Sequence, residues 1–305
     1  MSQKLEIIGR KLVVVLAASV YSIHYWINFN LWITEELSIL LYVHMITLNI
    51  VFLMLFWCFI VMLIIDPGRP KMQIGNEYIQ SPFSKKVYCD KCKCQKPERC
   101  HHCSICDRCV LQMDHHCPWI NTCVGYQSRK QFILLLFYAL LFNFITVVST
   151  TKTYLLSFRF SIFNMIYALA CIGNYVLVFL LFNFLKYHIE LLQKNQTTLE
   201  DIISKNNQTN FNFYDIDPHT NVTQIFGQNK SLWLFPIYSG VGCNDGHTFP
   251  KIDYKGMQAS SPQVVSVFYE QQYVSSDKNK NENSNIQTIY KRGTEKQKIS
   301  EIKMN

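Results

Sequence analysis

Four long apolar runs constrain the fold more than any other feature of this 305-residue chain. They extend from Leu12 to Ile33, from Ser38 to Ile65, from about Phe132 to Leu156 and from about Ile162 to Leu185. None contains Asp or Glu, and the only basic residue among them is Lys152, near the end of the third. A helix of about 20 apolar residues crosses the hydrocarbon core of a bilayer. Helices buried in a soluble bundle usually keep a polar stripe, which these runs lack, so all four are expected to span a membrane. The first is too long for the apolar region of a signal peptide and no clean small-residue cleavage site follows it, so it is expected to be a retained span.

Lys and Arg placement sets the expected orientation. Residues 1–11, 66–131 and 186–305 hold 27 of the 29 basic side chains. Connector 34–37 holds none, and 152–161 holds two. By the positive-inside rule both termini and the 66–131 segment face the cytosol. A net charge of +8 suits anionic lipid or an acidic ligand. No groove-reading motif is visible, so no nucleic-acid partner is expected.

The expected fold is therefore an α-helical polytopic membrane protein, its four transmembrane helices split two and two by a cysteine-rich cytosolic domain. Residues 1–65 hold the N-terminus and helices one and two, and 66–131 the cytosolic domain. Residues 132–186 hold helices three and four, and 187–275 a cytosolic C-terminal region. Residues 276–305, rich in Asn, Lys, Gln and Ser, are expected to be disordered. Asp66-Pro67-Gly68 stops the second span, and "KYHIELLQ" (186–193) reads as a helical continuation of the fourth. No internal repeat is expected. Four Asn-x-Ser/Thr triplets begin at Asn195, Asn207, Asn221 and Asn229; on a cytosolic face they go unused.

Nine of the twelve cysteines lie between Cys89 and Cys123, interleaved with His101, His102, His115 and His116. Cytosolic thiols stay reduced, so this density points to zinc rather than to disulfides. The C-x-x-C pairs 89/92, 103/106 and 106/109 supply the bite that tetrahedral zinc takes. One such pair is a weak signal; three with two His-His pairs are a strong one. Two zinc sites use eight ligands, which leaves at least five of these Cys and His groups spare. A purely structural reading leaves a spare Cys and a spare His together in "DHHC" unexplained.

The stretch "YCDKCKCQKPERCHHCSICDRCVLQMDHHCPWINTCVG", Tyr88 to Gly125, closely resembles the cysteine-rich domain of the DHHC protein S-acyltransferases, or palmitoyltransferases. Asp66-Pro67-Gly68 resembles that family's DPG motif, and Thr197-Thr198-Leu199-Glu200 its TTxE motif. "NFYDIDPHTNVTQIFG" (212–227) is similar to its C-terminal PaCCT motif. The resemblance covers about 20 to 230. It departs from the family pattern at Thr122, Ser128, Phe213 and Asp217.

The resemblance implies two structural zinc ions. One would be held by Cys89, Cys92, His102 and Cys109, the other by Cys103, Cys106, His116 and Cys123. Asp114, His115 and Cys117 remain as the catalytic set, while Cys94, Cys100 and His101 take no family role. It also implies long-chain acyl-CoA as co-substrate, substrate proteins with membrane-proximal cysteines, and a bilayer of the Golgi or ER or of the plasma membrane. Phe142 falls near the depth at which the family sets acyl length.

The chemistry of the leftover trio is coherent by itself. A Cys117 thiolate is a soft nucleophile. His115 can take its proton, and Asp114 can orient His115 and stabilise the imidazolium. Lys85, Lys86, Lys93, Arg99, Arg129 and Lys130 are available to CoA phosphates or to anionic lipid. Thr197 and Glu200 form the pattern of a helix capping box. Asn221 is expected to satisfy backbone groups, and Cys243 to be a plain buried thiol. Two other classes compete: a membrane-anchored zinc adaptor, catalytically silent, and a RING-type ubiquitin ligase. Neither has a use for an unliganded thiol beside Asp-His.

Overall fold

The computed structural model describes residues 22, 39–71, 87–156, 162–208, 212–237 and 245–252. The first apolar run (apart from residue 22), Lys85, Lys86, Cys243 and the polar tail lie outside the described residues.

Three long helices form where the apolar runs are: α1 (Ile39–Ile64), α2 (Arg129–Leu156) and α3 (Ile162–Gln193). Among the described residues these three are long and apolar enough to cross a membrane. Their outer faces expose Ile46, Ile50, Leu53, Ile172, Val176 and Phe179, a surface suited to lipid rather than water. The inner faces pack Leu48, Val51 and Cys58 of α1 against Ile133, Tyr138 and Phe142 of α2. Polar side chains inside α2 return to their own helix, where every polar group must find an internal partner. Asn143 Nδ2 donates to Ala139 O at 2.7 Å, and Thr146 Oγ1 to Phe142 O at 2.6 Å. Helix α3 runs on to Gln193, so "KYHIELLQ" does continue it.

Between α1 and α2 lie six three-residue strands in three antiparallel hairpins: β1–β2 (Val87–Cys89, Cys94–Lys96), β3–β4 (His101–Cys103, Arg108–Val110) and β5–β6 (His115–Cys117, Thr122–Val124). The hairpins start at residues 87, 101 and 115, a repeat of 14 residues. Their registers are equivalent, with Cys89 opposite Cys94, Cys103 opposite Arg108 and Cys117 opposite Thr122. The left-handed turn residue recurs too, at Lys93, Asp107 and Asn121; Asp and Asn favour that backbone, and Lys93 is the exception. The chain therefore does carry an internal repeat. It is hidden in sequence because a 14-residue unit held by metal ligands needs no apolar period of its own.

The Asp66-Pro67-Gly68 turn stitches the end of α1 to this module. Leu111 N donates to Gly68 O, Gln127 N donates to Pro67 O, and Arg108 Nη1 donates to Asp66 Oδ2 at 3.0 Å. Gly125 makes that approach possible, since a Cβ there would lie 2.6 Å from Val110 Cγ1 and 2.8 Å from Pro67 O. Ser128, one departure from the family pattern, accepts from Gly125 N through Oγ at 3.1 Å immediately before α2 begins.

Two short helices follow, α4 (Thr198–Asn206) and α5 (Pro218–Phe226). The α4 start is a complete capping box: Thr197 Oγ1 accepts from Glu200 N, and Glu200 Oε2 accepts from Thr197 N. Asp217, another departure, caps α5 by accepting from Thr220 N at 2.9 Å. Asn221, fully buried, donates to Gln193 O and accepts from Ile216 N, the backbone role its position suggested. Residues 230–237 then lie along the first turns of α2. Lys130 Nζ donates to Leu232 O and Ile237 O, and Tyr138 Oη donates to Leu234 O.

Candidate active site and metal centres

The hairpin repeat organises two Cys/His quartets. Cys89 and Cys92, at the turn of the first hairpin, face His102 and Cys109, a cross-strand pair of the second. Cys103 and Cys106, at the turn of the second, face His116 and Cys123, the equivalent pair of the third. Within each quartet the ligand atoms all lie within 4.8 Å of one another. His102 Nδ1 is 3.6 Å from Cys89 Sγ and 3.2 Å from Cys92 Sγ. In the second quartet His116 Nδ1 is 3.7 Å from Cys103 Sγ, 3.3 Å from Cys106 Sγ and 3.7 Å from Cys123 Sγ. Tetrahedral zinc, with bonds of about 2.3 Å to sulfur and 2.0–2.1 Å to nitrogen, sets ligand edges of about 3.5–3.8 Å. Three of the five separations fall on those edges and the other two lie about 0.2–0.3 Å inside them, and three thiolates with one imidazole suit a closed structural zinc site. The backbone amides of Cys92 and Cys106 donate to Cys89 Sγ and Cys103 Sγ, as in a metal knuckle.

Cys117 belongs to neither quartet. It is 5% exposed and stands in an apolar wall of Met62 from α1, Ile120 and Val124 from the third hairpin, and Phe132 and Leu136 from α2. Leu181 and Leu185 of α3 pack on the same cluster. This thiol, outside both quartets, therefore lies among three membrane-length helices.

His115 Nδ1 donates to Asp114 Oδ2 at 2.7 Å, which leaves Nε2 available to the sulfur of Cys117, two residues on. Burial pushes His115 down, yet the Asp114 hydrogen bond and the Cys117 contact outweigh it and raise the group to about 9. Burial pushes Asp114 up, but the His115 hydrogen bond and the Arg129 charge hold it well below the usual carboxylate range. Asp114 has a second anchor. Thr198 donates to it twice, from N to Oδ1 at 3.0 Å and from Oγ1 to Oδ2 at 2.7 Å. The N-terminus of α4 thus holds the carboxylate that holds the imidazole, in keeping with the preference of helix N-termini for anions.

The same capping box extends further. Arg99 reaches Glu200 through Nε at 2.7 Å and Nη2 at 2.8 Å. Its guanidinium lies over Tyr214 at 4.2 Å and Phe249 at 4.9 Å, and it donates to Asn195 Oδ1 and Asn195 O. A chain of contacts runs from Arg99 through Glu200 and the α4 start to Asp114.

A family model described as DHHC palmitoyltransferase matches residues 82–205. The probable protein S-acyltransferase 12 of Arabidopsis thaliana is 35% identical over 206 residues, which cover 61% of this chain and 70% of that protein.

The chain belongs to the DHHC palmitoyltransferase family.

Human palmitoyltransferase ZDHHC2 is 39% identical over 189 residues, covering 57% of this chain and 49% of its own length. Zebrafish palmitoyltransferase ZDHHC15A is 39% identical over 174 residues, covering 53% of this chain and 51% of its own. The chain thus spans about half the length of these two vertebrate relatives. The two quartets are those the resemblance implied, and they leave Asp114, His115 and Cys117 outside, with His115 hydrogen-bonded to Asp114. It corrects the expectation for three cations. Arg99, Arg129 and Lys130 are buried, not turned to phosphate or lipid. Arg99 is paired with Glu200, Arg129 donates to Gln196 O, and Lys130 is spent on two carbonyls. Lys93 alone of the described candidates is exposed. Phe142 packs on Phe52, with ring centres 5.7 Å apart, in the α1–α2 core and not in the Cys117 wall. Asn195 and Asn221 are buried, which closes two of the four glycosylation triplets.

Thr198, which donates to Asp114, and His188, whose ring centre lies 6.0 Å from that of His115, were not singled out from the sequence. Thr198 was visible only as the second Thr of a motif whose first Thr explains the helix cap. His188 lies inside "KYHIELLQ", where an ionisable group within a membrane-length helix was itself the available signal.

Proposed function

We propose that this chain is a protein S-acyltransferase that moves a long-chain acyl group, typically palmitoyl, from acyl-CoA to cysteine thiols of substrate proteins. The observation that carries the proposal is the position of Cys117, outside both metal quartets, two residues from the His115 that Asp114 holds, and set in an apolar wall from three membrane-length helices.

Cys117 gives its proton to His115, and its sulfur attacks the thioester carbonyl carbon of acyl-CoA. The tetrahedral intermediate collapses with cleavage of the carbon–sulfur bond to CoA, and the leaving thiolate takes the proton from His115. A substrate cysteine then repeats the sequence against the Cys117 thioester. His115 takes the incoming thiol's proton and returns it to the Cys117 sulfur. Asp114, fixed by Thr198, keeps His115 in the tautomer that presents Nε2 to sulfur. One thioester replaces another, so the chemistry is close to thermoneutral. Burial of the chain among the helices, worth about 0.8 kcal/mol per methylene, favours loading.

The family membership and the donor chemistry of the quartets support two zinc ions, held by Cys89, Cys92, His102 and Cys109 and by Cys103, Cys106, His116 and Cys123. When bound they supply rigidity, and the His116 ligand pins the backbone beside His115 and Cys117. The basic residues support a multi-pass arrangement in an endomembrane or the plasma membrane. Four spans are proposed, with both termini, the zinc domain (66–131) and the C-terminal region (187–275) in the cytosol.

The test is self-acylation of the full chain, purified in detergent, with labelled palmitoyl-CoA. Hydroxylamine-releasable label is expected in the wild type and not in Cys117→Ser. Absence of label in a wild type that still binds two zinc ions would move the reading to a silent, partner-recruiting family member.

A further inference from the structure

His188 lies on α3 inside a membrane-length helix and is 2% exposed. Its Nε2 is buried and has no hydrogen-bond partner among the described residues. A buried polar atom left in this state costs folding free energy, and its persistence calls for a reason. His188 stands one helical turn past Leu185 and two past Leu181, the α3 residues that pack on the Cys117 cluster. Its ring centre is 6.0 Å from that of His115, and Phe132 stands 5.0 Å from both, edge-on to each. Phe184 and Tyr187 complete an aromatic cage around it. His188 therefore lies beside His115, on the face of α3 that packs on the Cys117 cluster.

The acyl-transfer chemistry needs a group that nothing described so far supplies. When the Cys117 sulfur adds to the thioester, the carbonyl π pair moves onto oxygen, and that oxyanion needs a donor aimed at it before it forms. His115 is held by Asp114 at Nδ1, and the proton transfer proposed above uses its Nε2. We infer that His188 is that donor, its Nε2–H meeting the thioester oxygen in both half-reactions. This assignment rests on the acyl-transfer reading above. No proton changes hands at His188. The carbon–sulfur bond forms, the oxyanion accepts the His188 hydrogen bond, the C=O re-forms, and the leaving sulfur takes its proton from His115. A general-base role fits His188 less well, because its cage is aromatic and, among the described residues, no carboxylate hydrogen-bonds its ring. Among the described residues, Asp114, His115, Arg129 and the cage residue Tyr187 are charged or titratable groups near it.

The test compares wild type, His188→Phe and His188→Gln as full chains in detergent. The readouts are single-turnover acyl-enzyme formation with palmitoyl-CoA, the half-saturating palmitoyl-CoA concentration, zinc content and melting temperature. His188→Phe is expected to lower the maximal single-turnover rate by about 10²-fold or more, with half-saturation and zinc content unchanged. His188→Gln keeps an N–H donor at similar reach and is expected to recover at least about tenfold of that loss. A His188→Phe rate close to wild type would overturn the assignment. So would Gln no faster than Phe at equal folded fraction, which would reduce His188 to packing. If the Phe variant does not fold, Nε2-methylhistidine placed at 188 deletes only the N–H; it is expected to show the same loss, and wild-type speed there rejects the donor role. A wild type that takes no label defeats the acyl-transfer reading itself. A labelled wild type with equally fast variants defeats only the role of His188.

Discussion

Cys117 stands in the third hairpin where Cys103 stands in the second and Cys89 in the first. Cys89 and Cys103 each have a second knuckle cysteine three residues on, Cys92 and Cys106, and a His/Cys pair in the next hairpin. Cys117 has Ile120 three residues on, and the chain then enters α2 instead of a fourth hairpin. The candidate nucleophile is thus a zinc-knuckle cysteine at the end of a repeat that has run out of partners. Its backbone takes the position of a metal ligand while its sulfur belongs to neither quartet.

Equivalent cysteines should therefore fail differently. Cys117→Ser is expected to abolish hydroxylamine-sensitive acylation while leaving two zinc ions per chain and the melting temperature close to wild type. Cys103→Ser is expected to lose one zinc and to melt earlier. Metal analysis alongside the acylation assay separates the two. Zinc loss in Cys117→Ser would make that thiol a ligand and break the partition.

The carboxylate at the site depends on a hydroxyl from α4. Thr198→Val keeps the shape and the backbone N–H to Asp114 Oδ1 but deletes the 2.7 Å bond from Oγ1 to Oδ2. Hydrogen bonds to charged groups contribute about 1.5–3 kcal/mol. The maximal acylation rate is accordingly expected to fall by about tenfold or more, with Thr198→Ser near wild type. Equal rates for Thr198→Val and wild type would remove Thr198 from the mechanism.

The Arg99–Glu200 pair is predicted to be a stability element. Arg99 has a side chain 1% exposed and Glu200 one 22% exposed. Glu200→Gln strands most of a buried cation, a change of about 3–5 kcal/mol for a fully buried pair and toward the lower figure here. Burial pushes Glu200 up, but the Arg99 charge and hydrogen bonds outweigh it and depress the group below its ordinary value of 4.5. A depressed carboxyl contributes stability that is present above the unfolded value and is lost as pH falls through the folded one. The gap in melting temperature between wild type and Glu200→Gln is therefore expected to be full at neutral pH and to close below 4.5. A gap independent of pH would assign the effect to packing.

Much of this architecture is legible in the chain itself. The apolar runs locate α1 to α3 because lipid-length burial leaves its mark residue by residue, and Thr197–Glu200 announces a helix start because capping is local. The fates of Arg99, Arg129 and Lys130 are not legible. A basic residue in sequence reads as exposed, and only the tertiary placement of Glu200, Gln196 O and Leu232 O reveals what each is paired with. The 14-residue repeat was equally hidden. Its units share ligand positions and turn geometry, not an apolar pattern, and each metal quartet straddles two units.

Metal removal should act on the hairpins first. Their strands are three residues long, with too little core to persist alone, so binding energy at the quartets is folding energy. Treatment with a zinc chelator is expected to expose 87–124 to protease and to stop acylation, with the helical circular-dichroism signal of α1 to α3 largely kept. Restored zinc should reverse both. A zinc-free protein with a protease-resistant 87–124 segment would contradict this.

The most direct test of the central claim is to locate the acyl group. Full-length protein incubated with palmitoyl-CoA, digested and read by mass spectrometry is predicted to carry one palmitoyl adduct, on the peptide holding Cys117, and to lose it to neutral hydroxylamine. An adduct on Cys89, Cys103, Cys109 or Cys123, or a Cys117 peptide that stays unmodified while both zinc ions remain bound, would contradict the account.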